Sequence, residues 1–243
     1  MLEAFAWGLV AASTLIAGGA IALRFEVGER TLGLVMAFGS GVLISAVAFE
    51  LVHEGFDKAG GQGSVALGLL AGAMTFYVGD LLIDRMGGAD RKDSDGAQAE
   101  GSALAIVLGI VLDGVPESIV LGLSVLAAGT VSVAFLAAVA VSNVPEAFAA
   151  SSGLARAGWR ERRILGLWTA VAVVSGLAAL FGYTVFDTAS AGTVAFVLSF
   201  AGGAILTMLA DSMMPEAFEH GGKLVGVATT FGFAVAFAIS ALD

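Results

Sequence analysis

The chain contains only three prolines, Pro116, Pro145 and Pro215, and each is followed by glutamate and then a small residue. The phrases read Asp113-Gly114-Val115-Pro116-Glu117-Ser118, Asn143-Val144-Pro145-Glu146-Ala147 and Met214-Pro215-Glu216-Ala217. The first two lie midway along apolar stretches. Ionised carboxylates at bilayer depth are costly, roughly 2.5–3.5 kcal/mol each on insertion scales, and mark candidate sites. A proline inside a helix also frees the carbonyl four residues back, here Leu112 and Val141. Asp113 and Glu117 are four apart and Asn143 and Glu146 three apart, so each pair shares a helix face. The link Ala128-Gly129-Thr130 is short, which predicts antiparallel neighbours with both polar pairs at one depth. Three carboxylates there need a compensating cation, because like charges raise each other's pKa. A bound metal or protons would supply it. The plainer alternative is a set of protonated carboxyls that hydrogen-bond two helices together.

These residues need helices around them, and the composition provides them. Hydrophobic residues make up 58% of the 243 residues and charged residues 13%, with a mean hydropathy of +0.95. This predicts an all-α polytopic membrane protein, one transmembrane domain over 1–243, with the lipid bilayer as its partner. Cysteine is absent, which removes disulfides and thiolate metal sites. A net charge of −10 argues against a nucleic-acid partner. The first apolar stretch carries Glu3 in place of a positive leader region and reads as a retained helix. Eight spans are expected, over 5–23, 32–53, 64–84, 102–127, 131–153, 164–186, 192–214 and 224–241. Each is long enough for a hydrocarbon core of about 30 Å. Period-two alternation is absent, so the spans are helices. Residues 85–101, polar and acidic, read as a mobile cytoplasmic loop.

Lys and Arg set the orientation. The links after spans one, three, five and seven hold Arg24, Arg30, Arg85, Arg91, Lys92, Arg156, Arg160, Arg162, Arg163 and Lys223, and the other side holds only Lys58. Both termini are therefore expected outside the cytoplasm, in what is expected to be a prokaryotic cell membrane. Phe38–Phe56 and Phe200–Phe218 align without a gap, pairing Gly41 with Gly203 and Glu54 with Glu216. These copies are spans two and seven, which run in opposite directions. That predicts an inverted repeat of spans 1–3 and 6–8 around spans 4 and 5, a 3+2+3 arrangement with a midplane site.

Further polar residues gather at the span ends. Glu50, His53 and Glu54 close span two on the outer side; Asp211, Glu216, Glu219 and His220 close span seven on the inner side. Singly, each reads as a solvated helix end; jointly, they suit capture and release of a cation. Asp80 is an acid inside span three, and Asp84-Arg85 reads as an interfacial ion pair. Asp80 with Asp113 also raises the alternative of an intramembrane aspartyl protease, since Tyr77-Val78-Gly79-Asp80 contains a Gly-Asp pair, but no second motif surrounds Asp113. The stretch Gly68-Leu69-Leu70-Ala71-Gly72 suits a homodimer as well as packing within one chain.

The paired Pro-Glu helices resemble the ZIP family of divalent metal transporters, and the resemblance extends over nearly the whole chain. It implies eight helices with external termini, no enzymatic activity, no resident cofactor and a divalent metal as the transported substrate. It also implies a core site of Asp113, Glu117, Asn143 and Glu146, with the two glutamates bridging two metals. Met214-Pro215-Glu216-Ala217-Phe218-Glu219-His220 is similar to the family's seventh helix. Two positions depart from the pattern: Asp113 replaces the family's histidine and Gly114 its asparagine. An all-oxygen site suits harder ions such as Mn²⁺, Mg²⁺ or Fe²⁺ better than Zn²⁺, although carboxylates bind zinc too. The departures leave a third alternative, a ZIP-like protein that moves protons or another solute.

Overall fold

The computed structural model describes residues 1–60, 63–89, 91–92 and 101–241. Among them every regular element is helical: α1 (Leu2–Ala22), α2 (Glu29–Ala46), α3 (Glu54–Lys58), α4 (Ser64–Arg85), α5 (Ala103–Ala128), α6 (Val133–Arg156), α7 (Glu161–Val185), α8 (Ala191–Met208), α9 (Met214–Gly221) and α10 (Val225–Ser240). Seven helical stretches are long and apolar enough to cross a membrane, so this is an integral membrane protein. The seventh is 50 residues long, Ala191–Ser240, where the sequence predicts two spans.

That long stretch is not straight. Gly33 of α2 lies against Gly221 and Ala217, while Gly39 lies against Met213, so α2 and α9 are antiparallel. On α10, Phe231 stacks 5.8 Å from Phe38 and Phe237 stacks 4.9 Å from Phe49, so α2 and α10 are parallel. The chain therefore reverses at Gly222. Its backbone there, φ 61° and ψ −148°, is a region open essentially only to glycine.

Two groups of helices form. In the first, α1 packs on α6 and α7, and α5 packs on α7. Its core holds Leu15, Ile110, Leu154, Ile164 and Trp168, with the Trp168 indole donating to Ser151 Oγ at 2.7 Å. In the second, α2 packs on α9 and α10, and α4 on α8, while α2 also packs on α6 of the first group. Without water to drive association, close backbone approach supplies the packing energy. A side chain at Gly41 would meet the Thr229 carbonyl, and one at Gly232 the Phe38 carbonyl. A side chain at Gly203 would meet the Leu69 carbonyl, and one at Gly72 the Phe200 carbonyl. These are the same two contacts, made once between α2 and α10 and once between α8 and α4. The shift that carries Phe38 and Gly41 onto Phe200 and Gly203 is the one that aligns the two sequence copies.

Both copies also break α-helical geometry at the same place. π-helical segments begin at Val47 and at Leu209, which are aligned residues. Such bulges occur often at functional sites. One expectation needs adjusting. Although α5 and α6 are joined by a short link, they touch each other little, because α7 and α1 take up their packing surfaces.

Candidate cation site

α5 and α6 continue helically through Pro116 and Pro145. Their four polar residues are all buried: Asp113 is 2% exposed, Glu117 4%, Asn143 6% and Glu146 7%. The neighbours that satisfy them come largely from outside the predicted set. Arg91 and Lys92, in the connection between α4 and α5, are only 2% and 4% exposed. They reach inward onto the acids.

The Arg91 guanidinium grips Asp113 with two parallel bonds, Nε to Oδ2 at 3.0 Å and Nη2 to Oδ1 at 3.1 Å. This fork geometry is the strong form of a charged hydrogen bond. Nη2 also donates to Asp80 Oδ1, which accounts for the acid inside α4. Asp84 stands 3.8 Å from Nη1 of the same guanidinium. The Lys92 ammonium lies 3.2 Å from Asp113 Oδ2 and 3.2 Å from Glu146 Oε1, and donates to Ser212 Oγ at 3.2 Å. Burial pulls an ammonium's pKa down, but the Asp113 and Glu146 carboxylates outweigh it and hold Lys92 above its ordinary value. Lys92 is therefore a fixed positive charge between two acids.

The turn that delivers these side chains is written locally. α4 ends at Arg85, and Gly87 takes the left-handed conformation, φ 91°, that terminates many helices. Gly88 N–H returns to the Ile83 carbonyl at 3.0 Å and Arg91 N–H donates to the Gly88 carbonyl at 3.3 Å. The stem of Arg91 passes over Gly109, where a side chain would collide with Arg91 Cδ. In the predicted loop over 85–101, Arg91 and Lys92 are thus packed inside the protein; residues 90 and 93–100 lie outside the described residues.

The other candidate ligands are placed less centrally. Glu117 is buried beside Glu146, Lys92 and Asp113. Asn143 donates from Nδ2 to the Ala11 carbonyl of α1 at 3.2 Å, so part of its role is to tie α6 to α1. Among the described residues, no three His, Cys, Asp or Glu side chains converge as a metal-holding group. Arg91 and Lys92 occupy the space between the acids.

At the end of α2, Glu50 accepts from Ser132 Oγ at 2.8 Å and Ser240 Oγ at 2.6 Å. Glu50 and Glu54 line a cleft of about 380 Å³ with Ser124, Thr130 and Ser132. His53 pairs with Asp57 at 3.2 Å and Glu54 with Lys58 at 3.3 Å, so His53 and Glu54 do not converge on one point. At the other end, Glu216 and His220 pair at 3.2 Å, while Asp211 and Glu219 are exposed. A larger cleft of about 620 Å³, lined by Glu26, Glu29 and Arg156, does not include the buried acids.

The sequence reading missed Arg91, Lys92 and Ser212 as site residues. A signal existed: two adjacent cations follow a helix-ending Gly87-Gly88, and buried acids need cations. The aspartyl protease reading also meets an obstacle, since Asp80 and Asp113 share the Arg91 guanidinium. A catalytic pair of that kind must share a proton, which a bound guanidinium opposes.

The fold and this cluster define a helical integral membrane protein with a charged site buried among its helices. A protein of Arabidopsis thaliana named "Putative zinc transporter" is 29% identical over 230 residues, which is 92% of this chain and 36% of that protein. The chain thus spans about a third of the length of that relative. No protein-family model matches the chain.

Proposed function

We propose that the protein carries divalent transition-metal cations across the membrane, with Asp113, Glu117 and Glu146 as the charged ligands and Asn143 Oδ1 as a neutral one. The observation that carries this reading is that buried acids on two proline-containing helices already hold a cation, the Lys92 ammonium, at 3.2 Å from both Asp113 and Glu146. A site that binds ammonium through carboxylate oxygens has the chemistry to bind Zn²⁺, Mn²⁺ or Fe²⁺. The similarity to the plant protein named for zinc agrees with it.

In this proposal α9 and α10 belong to separate crossings, because the chain reverses at Gly222. That gives eight spans, arranged 3+2+3, with the termini outside the cytoplasm. The exchanged contacts of α2 with α10 and of α8 with α4 support a pseudo-twofold relation between the halves. Transport by alternating access then follows as a relative movement of the two helix groups around the acids. The metal is cargo, and the protein is a permease of the ZIP type and not an enzyme.

The test is uptake of Zn²⁺, Mn²⁺ and Fe²⁺ into proteoliposomes containing the purified protein. Uptake that saturates, and that Glu117→Ala abolishes, is the expected result. Proton movement without metal uptake would favour the ZIP-like proton carrier instead. Cleavage of a membrane peptide would favour the protease.

A further inference from the structure

We infer that Arg91 and Lys92 form an internal cation plug, which occupies the carboxylate site when cargo is absent and which the metal must displace. The inference rests on the metal-transport reading above and adds a regulatory element to it.

Three observations carry it. The first is occupancy: Arg91 takes both oxygens of Asp113, and Lys92 bridges Asp113 and Glu146. These are the oxygens a metal would need. The second is construction. The left-handed Gly87, the Gly88 N–H bond to Ile83 and the missing side chain at Gly109 together steer the segment into the bundle. The third is charge. Arg91 and Lys92 bring two positive charges, as one divalent ion does, so exchange leaves the net charge of the site unchanged. Leaving the acids without either would expose uncompensated charge in a buried site.

The competition is balanced by distance against tethering. A metal approaches carboxylate oxygen to about 2.0–2.2 Å, whereas the plug's nitrogens stand 3.0–3.2 Å away. The metal therefore gains more attraction per charge. The tethered cations compensate by their local concentration, which is on the order of millimolar for a short link. The plug also joins the two helix groups. Through Arg91 and Lys92, Asp113 on α5 and Glu146 on α6 are linked to Asp80 on α4 and to Ser212 in the second π segment. Displacing it removes this polar link and leaves the groups joined by the packing of α2 on α6 and of α5 on α4 and α8.

The experiment uses trypsin on the purified wild-type protein, with and without Mn²⁺ or Zn²⁺. Trypsin cuts after arginine and lysine, and burial protects Arg91 and Lys92. The exposed Arg160 serves as an internal reference for direct effects of the metal on the protease. Metal should speed cleavage after Arg91 or Lys92, identified by fragment mass, at least tenfold relative to cleavage after Arg160. In parallel, Lys92→Gln should bind Mn²⁺ or Zn²⁺ at least tenfold more tightly than wild type in equilibrium dialysis, and Lys92→Arg should bind as wild type does. If Lys92→Gln fails to fold, the wild-type cleavage assay decides. Metal binding to wild type with unchanged or slower cleavage at these positions overturns the plug and leaves the transport reading intact. If neither wild type nor Lys92→Gln binds metal, the transport reading falls and the plug with it.

Discussion

Asn143 on α6 donates its side-chain N–H to the backbone carbonyl of Ala11 on α1, at 3.2 Å. The bond turns Nδ2 towards α1 and leaves Oδ1 as the atom that can face cargo. Asn143→Ala removes one hydrogen bond between buried groups, about 1 kcal/mol, and one neutral ligand. The expected result is metal binding weaker by about tenfold, equivalent to ~1.4 kcal/mol. Asn143→Asp should lower the melting temperature further than Asn143→Ala, because it sets a carboxylate against a carbonyl. Binding by dialysis and thermal unfolding in detergent measure both effects. Unchanged metal affinity in Asn143→Ala would remove Asn143 from the ligand set.

Glu117→Ala and Glu146→Ala should each abolish transport, yet they should differ in stability without metal. Glu117 lies beside Glu146, Asp113 and Lys92, so its removal relieves repulsion from two acids and gives up an attraction to one cation, with no direct ion pair broken. Glu146 is an ion-pair partner of Lys92. Removing one partner of a buried pair costs up to roughly 3–5 kcal/mol, less here because Asp113 and Ser212 still hold the ammonium. The metal-free melting temperature should therefore hold or rise in Glu117→Ala and fall in Glu146→Ala. Transport that persists in either variant would sink the site assignment.

Selectivity should follow position 113. Imidazole nitrogen favours Zn²⁺ over Mn²⁺ more than carboxylate oxygen does. Asp113→His, alone or with Gly114→Asn, should shift paired-metal competition towards Zn²⁺ by about tenfold, or ~1.4 kcal/mol. There is room to begin the asparagine side chain, since a Cβ at Gly114 meets only Ser175 Oγ at 3.8 Å. A ratio that does not move, or moves towards Mn²⁺, would place selectivity elsewhere in the protein.

The close glycine contacts give a prediction independent of metal. Gly41→Ala and Gly203→Ala would each push a Cβ into a backbone carbonyl of the facing helix. Overpacking of this kind costs typically about 1–3 kcal/mol, and the two losses should be alike if the halves are related by symmetry. Gly166→Ala in α7, with nothing within 4 Å, serves as the control. It should be neutral or stabilising by about 0.5–1 kcal/mol. A large difference between Gly41→Ala and Gly203→Ala in chemical unfolding would count against the paired arrangement.

Topology is tested by labelling, which the natural absence of cysteine makes simple. A membrane-impermeant maleimide added to intact cells should modify a cysteine at Lys58 and leave one at Arg160 untouched. The reverse pattern would invert the orientation.

Much of this protein is legible in its sequence because the deciding forces are local. Hydrophobic runs near bilayer length specify the helices, and the observed bounds of α1 and α4–α7 follow the predicted spans to within about three residues. The shared faces of Asp113 with Glu117 and of Asn143 with Glu146 follow from helical periodicity alone. The aligned copies around Gly41 and Gly203 are visible in the sequence and predict an inverted repeat, but the helix that each copy packs against is not legible there. Only the packed structure brings Gly41 to Thr229 and Gly203 to Leu69. The same holds for charge neutralisation. Sequence requires a cation for the buried acids, but cannot say whether it arrives from solution or from the chain. Arg91 lies 22 residues before Asp113, in a segment polar enough to be solvated by itself. The turn at Gly87 and the gap over Gly109 carry it inward, and buried carboxylates attract it there far more strongly than water would. Local composition governs where a helix forms, whereas the partner of a buried charge depends on distant segments meeting, and that is decided only by the tertiary fold.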